Sequence, residues 1–116
     1  MNIVRASDLS VDNKDPGVAA LRLVTGRHGA KTMTAGIATF EPGAKIVMHT
    51  HPCEETVIIV EGEAIAYTED EEFTLHKYDT TIMPAGTRHC FANKSASPMT
   101  IAYFYPIGDA PRYDLE

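Results

Sequence analysis

The sequence predicts an all-β domain, a sandwich or closed barrel, on three observations. Apolar and β-branched runs are short and recur at close intervals. Turns bearing Gly or Pro separate them, and no stretch sustains the 3.6-residue apolar period of an amphipathic helix. Helices should therefore be scarce. At 116 residues there is room for one domain, residues 1–116, with a core large enough to fold without disulfides.

The elements follow in order. Residues 19–25 form the first strand candidate, ended by Gly26-Arg27-His28-Gly29-Ala30. Residues 32–40 form the next, closed by Glu41-Pro42-Gly43. Residues 46–51 and 56–60 are strands on either side of a break at Pro52, the second being the β-branched run Thr56-Val57-Ile58-Ile59-Val60. Residues 64–68 and 72–76 flank the acidic turn Glu69-Asp70-Glu71 and read as a hairpin whose charges keep it solvated. Residues 80–83, 89–92 and 99–105 complete the set.

Bulk properties exclude several functions. A net charge of −6 argues against nucleic acid or an anionic membrane as the main partner. No apolar run is long enough to span a bilayer, and the first residues, Met1-Asn2-Ile3-Val4-Arg5-Ala6-Ser7-Asp8, lack the apolar segment of a signal peptide. Two cysteines, Cys53 and Cys90, make no disulfide framework. A cytoplasmic location is the expectation.

The stretch 43–62, GAKIVMHTHPCEETVIIVEG, carries the chemistry. Side chains alternate along a strand, so His49 and His51 share one face. Glu55 opens the following strand and can face both imidazoles from its neighbour. Two imidazoles and a carboxylate suit one divalent ion such as Mn, Fe, Co, Ni or Zn. A second segment, Pro84-Ala85-Gly86-Thr87-Arg88-His89-Cys90-Phe91-Ala92-Asn93, contains a further histidine in a Pro-x-Gly context.

Together the two segments resemble the cupin superfamily, in its small single-domain, metal-binding form. Gly43, His49, His51, Glu55 and Gly62 fit the first cupin motif at every position, over 43–62. Pro84, Gly86, His89 and Asn93 fit the second, over 78–93, whose leading Gly is replaced by Tyr78. That position ordinarily takes a positive φ, which costs a non-Gly residue roughly 1–2 kcal/mol, so the replacement bears on the turn and not on the ligands. The resemblance implies a double-stranded β-helix, or jelly-roll barrel. It implies His49, His51, Glu55 and His89 as ligands of one metal ion with two open coordination positions. The set resembles, with one extra His, the facial triad of non-haem iron oxygenases.

An ion with one carboxylate carries a net charge near +1 and favours a substrate bringing an oxyanion, enol or α-keto group. Metal-dependent cupins include dioxygenases, decarboxylases, isomerases and lyases. The expectation is therefore an enzyme acting on a small oxygenated metabolite; the alternative is a non-catalytic sugar- or carboxylate-binding or sensing cupin. Sensors of this kind commonly attach a DNA-binding helix-turn-helix, for which 116 residues leave no room, and this favours the enzyme. A homodimer is expected from an open edge in the N-terminal strands and from the outward apolar residues Ile58 and Val60.

Alternation assigns the remaining faces. Val47 should share the face of His49 and His51, while Ile46, Met48 and Thr50 face away. Val57 and Ile59 should line the pocket below Glu55, and Phe91 should share the face of His89. In residues 99–105 either Ile101, Tyr103 and Tyr105 or Ala102 and Phe104 face inward. Tyr103 and Tyr67 are the candidate catalytic proton donors. Arg27 and Lys31 sit in a loop within reach of a substrate carboxylate, although a solvated loop is the plainer reading. His28 and His76 read as surface residues, and Glu54 and Arg88 turn outward. Cys53, between His51 and Glu55, reads as a small loop residue, and Cys90 as structural.

Overall fold

The computed structural model describes residues 1–115. Its strands are β1 (Val18–Val24), β2 (Thr34–Phe40), β3 (His49–Thr50), β4 (Glu55–Glu61), β5 (Ala64–Thr68), β6 (Glu72–Leu75), β7 (Thr80–Met83), β8 (His89–Ala92), β9 (Met99–Tyr105) and β10 (Tyr113–Asp114). Two single-turn 3-10 helices, Ala6–Asp8 and Gly26–His28, are the only helical pieces among the described residues.

The strands form two five-stranded antiparallel sheets, ordered β1-β2-β9-β4-β7 and β10-β3-β8-β5-β6. The two sheets form a jelly roll, with an apolar core between them. Strand β4 alternates with period two, burying Glu55, Val57 and Ile59 and leaving Thr56, Ile58 and Val60 on the outer side. Phe40, Phe91, Ile59, Met99 and Val57 fill the core, with Ala38, Ala64, Ala66 and Ile101 between them.

Two glycines show why no other residue serves. Gly62 turns the chain from β4 into β5 with φ +79°, and a Cβ there would lie 2.5 Å from the Pro98 carbonyl oxygen. Gly36 holds an ordinary φ but lies under Tyr103, whose hydroxyl would be 2.3 Å from an added Cβ. Tyr78, standing where the family has glycine, does adopt φ +72°, and its N–H donates to the Ile59 carbonyl at 2.6 Å. The turn survives the substitution.

The hairpin of β5 and β6 forms as expected, with Tyr67 opposite Glu72. The segment 46–51 departs from expectation: only His49–Thr50 is strand. Because residues 46–48 lie outside a ladder, strict alternation does not govern them. Ile46 therefore packs against the core, where an outward orientation was expected. Strand β10 was not anticipated. It is two residues long and exists through pairing with β3, Tyr113 opposite Thr50 and Asp114 opposite His49.

Candidate metal centre

His49 and His89 are direct partners across the single β3–β8 pairing. His51 follows one residue beyond β3, and Glu55 enters from the other sheet as the first residue of β4. The turn ahead of β8 is tied to the same place, since Gly86 N–H donates to the His51 carbonyl at 2.9 Å. All four side chains are buried, at 2% exposure for His49, 4% for His51, 5% for Glu55 and 1% for His89.

The three imidazoles bring their ligand nitrogens within 4.8 Å of one another. Glu55 lies against two of them, Oε1 at 2.8 Å from His89 Nε2 and Oε2 at 3.7 Å from His51 Nε2. Each Nδ1 faces a backbone carbonyl: His49 to Val47 at 2.7 Å, His51 to Pro111 at 2.8 Å and His89 to Thr87 at 2.8 Å. A carbonyl only accepts, so the proton sits on Nδ1 and the Nε2 lone pairs turn inward. Carbonyl anchoring of this kind fixes the tautomer and orientation that a metal-binding histidine needs.

The electrostatics fit a cation. Burial, with help from the neighbouring His89 and His51, lowers His49 to about 4, against the Val47 carbonyl and the Glu55 charge, which raise it. Burial also lowers His51, so both rings are neutral near pH 7. For His89, burial pulls downward, but the hydrogen bond and charge of Glu55, together with the Thr87 carbonyl, raise it. Burial would raise Glu55, yet the hydrogen bonds from His89 and Tyr105 and the nearby charges hold it low. Both nitrogens of His89 thus face acceptors, and either a second proton or a cation must lie between Nε2 and the carboxylate. Three imidazoles, one carboxylate and a demand for positive charge make a donor set that fits a borderline divalent ion.

Tyr105 joins the cluster although the sequence did not single it out. Its hydroxyl donates to Glu55 Oε2 at 2.5 Å and lies 3.1 Å from His51 Nε2. Burial and the Glu55 charge push its pKa up, so it keeps its proton. Alternation shows only that Tyr103 and Tyr105 share a face; the pairing of β9 with β2 and β4 is what turns Ile101, Tyr103 and Tyr105 inward together.

His49, His51 and Glu55 form part of the wall of a cavity of about 430 Å³. Val18, Ala38, Phe40, Ile46, Phe91 and Ile101 give this cavity an apolar interior, and Tyr103 and Tyr105 line it beside Glu55. Its lining also includes two ion pairs, Arg22 with Asp12 at 2.8 Å and Arg112 with Asp15 at 2.8 Å, and Arg27 and Asp109. Val57 and Ile59 face inward as expected but belong to the packed core and not to the cavity lining.

The other candidates separate. Tyr103 faces the cavity. Tyr67 does not, contrary to expectation: Ala64 and Ala66 take the inward positions of β5, so Tyr67 lies on the outer side with the Lys94 amine over its ring at 5.4 Å. Arg27 lines the cavity and Lys31 does not. Arg88 points out to Glu69 at 3.0 Å, and His76 pairs at the surface with Glu63 at 3.2 Å. His28 bonds the Thr25 hydroxyl at 3.0 Å, outside the cluster. Cys53 is half-buried, and burial with the Glu55 charge raises its pKa, so it is a thiol. Asn93 of the second motif is structural: its fully buried amide donates to the Phe40 and Ser97 carbonyls.

Comparison with known proteins agrees with this architecture. "Auxin-binding protein 1" of Arabidopsis thaliana is 28% identical over 98 residues, 75% of this chain and 50% of that protein. "Polyketide synthase CurC" of Streptomyces cyaneus is 30% identical over 92 residues, 78% of this chain and 60% of that protein. The chain thus spans between half and three-fifths of the length of these relatives. Among solved structures, the polyketide cyclase RemF from Streptomyces resistomycificus superposes with a TM-score of 0.84 at 17% identity, covering 100% of this chain and 86% of that one. The oxalate decarboxylase of Lactobacillus farciminis gives 0.83 at 20%, covering 94% of this chain and 34% of that one. At these identities the structural likeness speaks for the fold alone. The cupin domain family model matches residues 36–105, more than half of the sequence and both motif histidine groups, and the chain belongs to the cupin family.

Proposed function

We propose that this chain is a metal-dependent enzyme for a small oxygenated metabolite, with one divalent transition ion (Mn, Fe, Ni, Co or Zn) held by His49, His51, Glu55 and His89. The observation that carries this reading is the position of the cluster: two of its three carbonyl-anchored imidazoles, His49 and His51, and the Glu55 carboxylate lie in a cavity wall, with His89 packed against Glu55 behind them. Structural sites close around their ion, whereas catalytic sites keep positions open to a ligand. A bound ion supplies Lewis acidity to an oxygen of the substrate.

The chain's own residues do the rest. His49, His51 and His89 keep their Nε2 atoms inward through the carbonyls of Val47, Pro111 and Thr87. Tyr105 holds one oxygen of Glu55 and leaves the other toward His89. The apolar walls exclude water from the reacting end. Tyr103, a phenol facing the cavity, is the candidate proton donor. Dioxygenase, decarboxylase, isomerase and lyase chemistry all fit such a site. Likeness to the polyketide synthase CurC, at 30% identity, supports an enzyme. Likeness to auxin-binding proteins favours a second reading, non-catalytic binding of a small carboxylate.

The protein is further read as a single-domain, cytoplasmic homodimer with a small-molecule partner. Strand β1 stands at a sheet edge, and the outer row Leu21, Ile37, Ala102, Ile58 and Thr80 runs across that sheet in register without a charge. No helix is long and apolar enough to cross a membrane.

The test is elemental analysis of protein purified without a metal-affinity tag, alongside His49→Ala. One equivalent of metal in the wild type and a folded variant with at least about tenfold weaker metal binding are expected. A variant that unfolds makes the ion structural, and one that keeps a full equivalent refutes the ligand set. Turnover in a metabolite screen separates the enzyme from the binding protein.

A further inference from the structure

The cavity wall carries four basic side chains, and three of them have partners. Arg112 is held by Asp15 and Asp114. Arg22 gives Nε and Nη2 to Asp12, at 3.2 and 2.8 Å, and Lys14 stands 3.9 Å from Asp114. The guanidinium of Arg27 has no hydrogen bond or ion pair with any described residue. Asp109, the lining acid that meets the same loop, turns to the Gly26 N–H instead, at 2.8 Å. In a chain with 16 acidic residues against 10 basic ones, a counter-charge for Arg27 is easily supplied, yet none is.

The loop that presents this charge is fixed on both sides. Gly26 is bound to Asp109. The His28 N–H donates to the Thr25 carbonyl and the His28 ring meets the Thr25 hydroxyl, both at 3.0 Å. The Asn2 amide donates to the His28 carbonyl at 3.0 Å. Arg27 also belongs to the wall of a second cavity, of about 470 Å³, which is closed by the N-terminal segment and shares Asp12, Arg22, Thr25 and Arg27 with the first. Arg22 and Arg27 therefore stand at the junction of the two cavities.

This junction is remote from the histidines. Arg22 lies on β1 and Glu55 on β4, with β2 and β9 between, a separation of three strand spacings, roughly 14 Å along the sheet before the side chains reach in. Tyr103, on β9, stands between them in the Arg22 row, and its hydroxyl has no partner among the described residues. A guanidinium offers parallel N–H groups that match a carboxylate or a phosphate, and the bond is strongest where one edge is uncommitted.

We propose that Arg27, with the Nη1 edge of Arg22 that Asp12 leaves unbound, forms an anion-binding subsite for a carboxylate or phosphate at the far end of an elongated ligand whose near end meets the histidine–Glu55 cluster. The near end rests on reading the cluster as an ion site; the anion subsite does not. Arg27 is thereby a specificity-determining residue, selecting a ligand charged at its tail over one of the same shape with a neutral tail.

The experiment is calorimetry on protein of known metal content with 2-oxoadipate and 2-oxohexanoate, which share a head and a chain length and differ in the terminal carboxylate. The longer pair 2-oxosuberate and 2-oxooctanoate tests the span, and 2-oxo-5-phosphonopentanoate replaces the terminal carboxylate by a phosphonate. At the better-fitting length the anionic tail should tighten binding about tenfold over the neutral one. Arg27→Gln should bring that ratio to about one with 2-oxo monoacid affinity unaltered, and Arg27→Lys should keep part of it. Lys31→Gln, which removes a charge from the same connection outside the cavity wall, should leave the ratio intact. A tighter phosphonate makes the tail a phosphate and a tighter diacid makes it a carboxylate; both support the subsite. No preference for an anionic tail in wild type at either length or with the phosphonate overturns it. So does a ratio that survives Arg27→Gln, or one that Lys31→Gln lowers equally. His49→Ala separates the two readings: common loss of affinity for diacid and monoacid supports the ion end, and unchanged affinity refutes it while the Arg27 ratio is still scored by itself.

Discussion

Arg112→Gln should loosen the segment around Pro111 that orients His51. The guanidinium makes four hydrogen bonds, to Asp15 at 2.8 and 2.9 Å and to Asp114 at 2.6 and 3.1 Å. Its side chain is 20% exposed, that of Asp15 19%. An exposed pair contributes about 0.2–1 kcal/mol, and breaking a buried one costs about 3–5 kcal/mol. Four-fifths burial with a bidentate geometry places this pair between those limits, at about 2 kcal/mol. For a chain of this size that is a fall in Tm of about 8 °C. The local effect is larger than the global one, because the adjacent Pro111 carbonyl is the partner of His51 Nδ1 and the Leu115 N–H donates to Met48. If the cluster holds an ion, metal affinity should drop about tenfold along with stability. The assay is thermal unfolding by circular dichroism and competitive metal titration on Arg112→Gln, Asp15→Asn and the double variant. Coupling energy between the two sites should account for most of each single loss. A Tm within about 1 °C of wild type with unchanged metal affinity refutes the reasoning.

Two further outcomes follow from the site and the outer sheet. In metal-stripped protein, His49 holds a folded pKa of about 4 against an ordinary 6.5, so the unfolded chain binds more protons between those values and stability must fall as pH drops through that window, by up to about 3 kcal/mol from this residue. His51 shifts the same way, whereas His89, raised, contributes stability that is fully present below 6.5 and lost as pH rises through its folded value. Urea midpoints measured from pH 7 to 4 should decline in wild type and flatten in His49→Ala; a flat wild-type profile sinks the assignment. For assembly, sedimentation should show a dimer at micromolar concentration and a monomer for Ile58→Glu, which places a charge in the middle of the uncharged outer row. A wild-type monomer, or an unaffected dimer in the variant, rules that face out.

What the sequence made legible was what it encodes locally. Strands β7, β8 and β9 begin and end where the sequence places them, at 80–83, 89–92 and 99–105, because apolar runs and the Gly or Pro turns that bound them are short-range properties. The four-residue cluster was readable for a different reason. His-x-His and the following Glu are placed by the break at Pro52, and His89 by the Pro84–Gly86 turn that hooks onto the His51 carbonyl. What could not be read depends on long-range pairing. Whether Tyr103 and Tyr105 or Ala102 and Phe104 face inward is set by the register of β9 against two neighbours, and a single-residue slip exchanges the sets. Tyr67 failed for the same reason on β5, and Ile46 because alternation was extended past the end of a two-residue strand.

The group that seats His51 is harder still to find. It is the backbone carbonyl of Pro111, sixty residues away, held in place by Arg112 and its two aspartates and by a strand too short to show a pattern. A carbonyl has no letter in the sequence, and all three histidines depend on one. The ligands of such a site are therefore the part that composition reveals, while the geometry that makes them ligands is carried by main-chain atoms that only the folded structure displays.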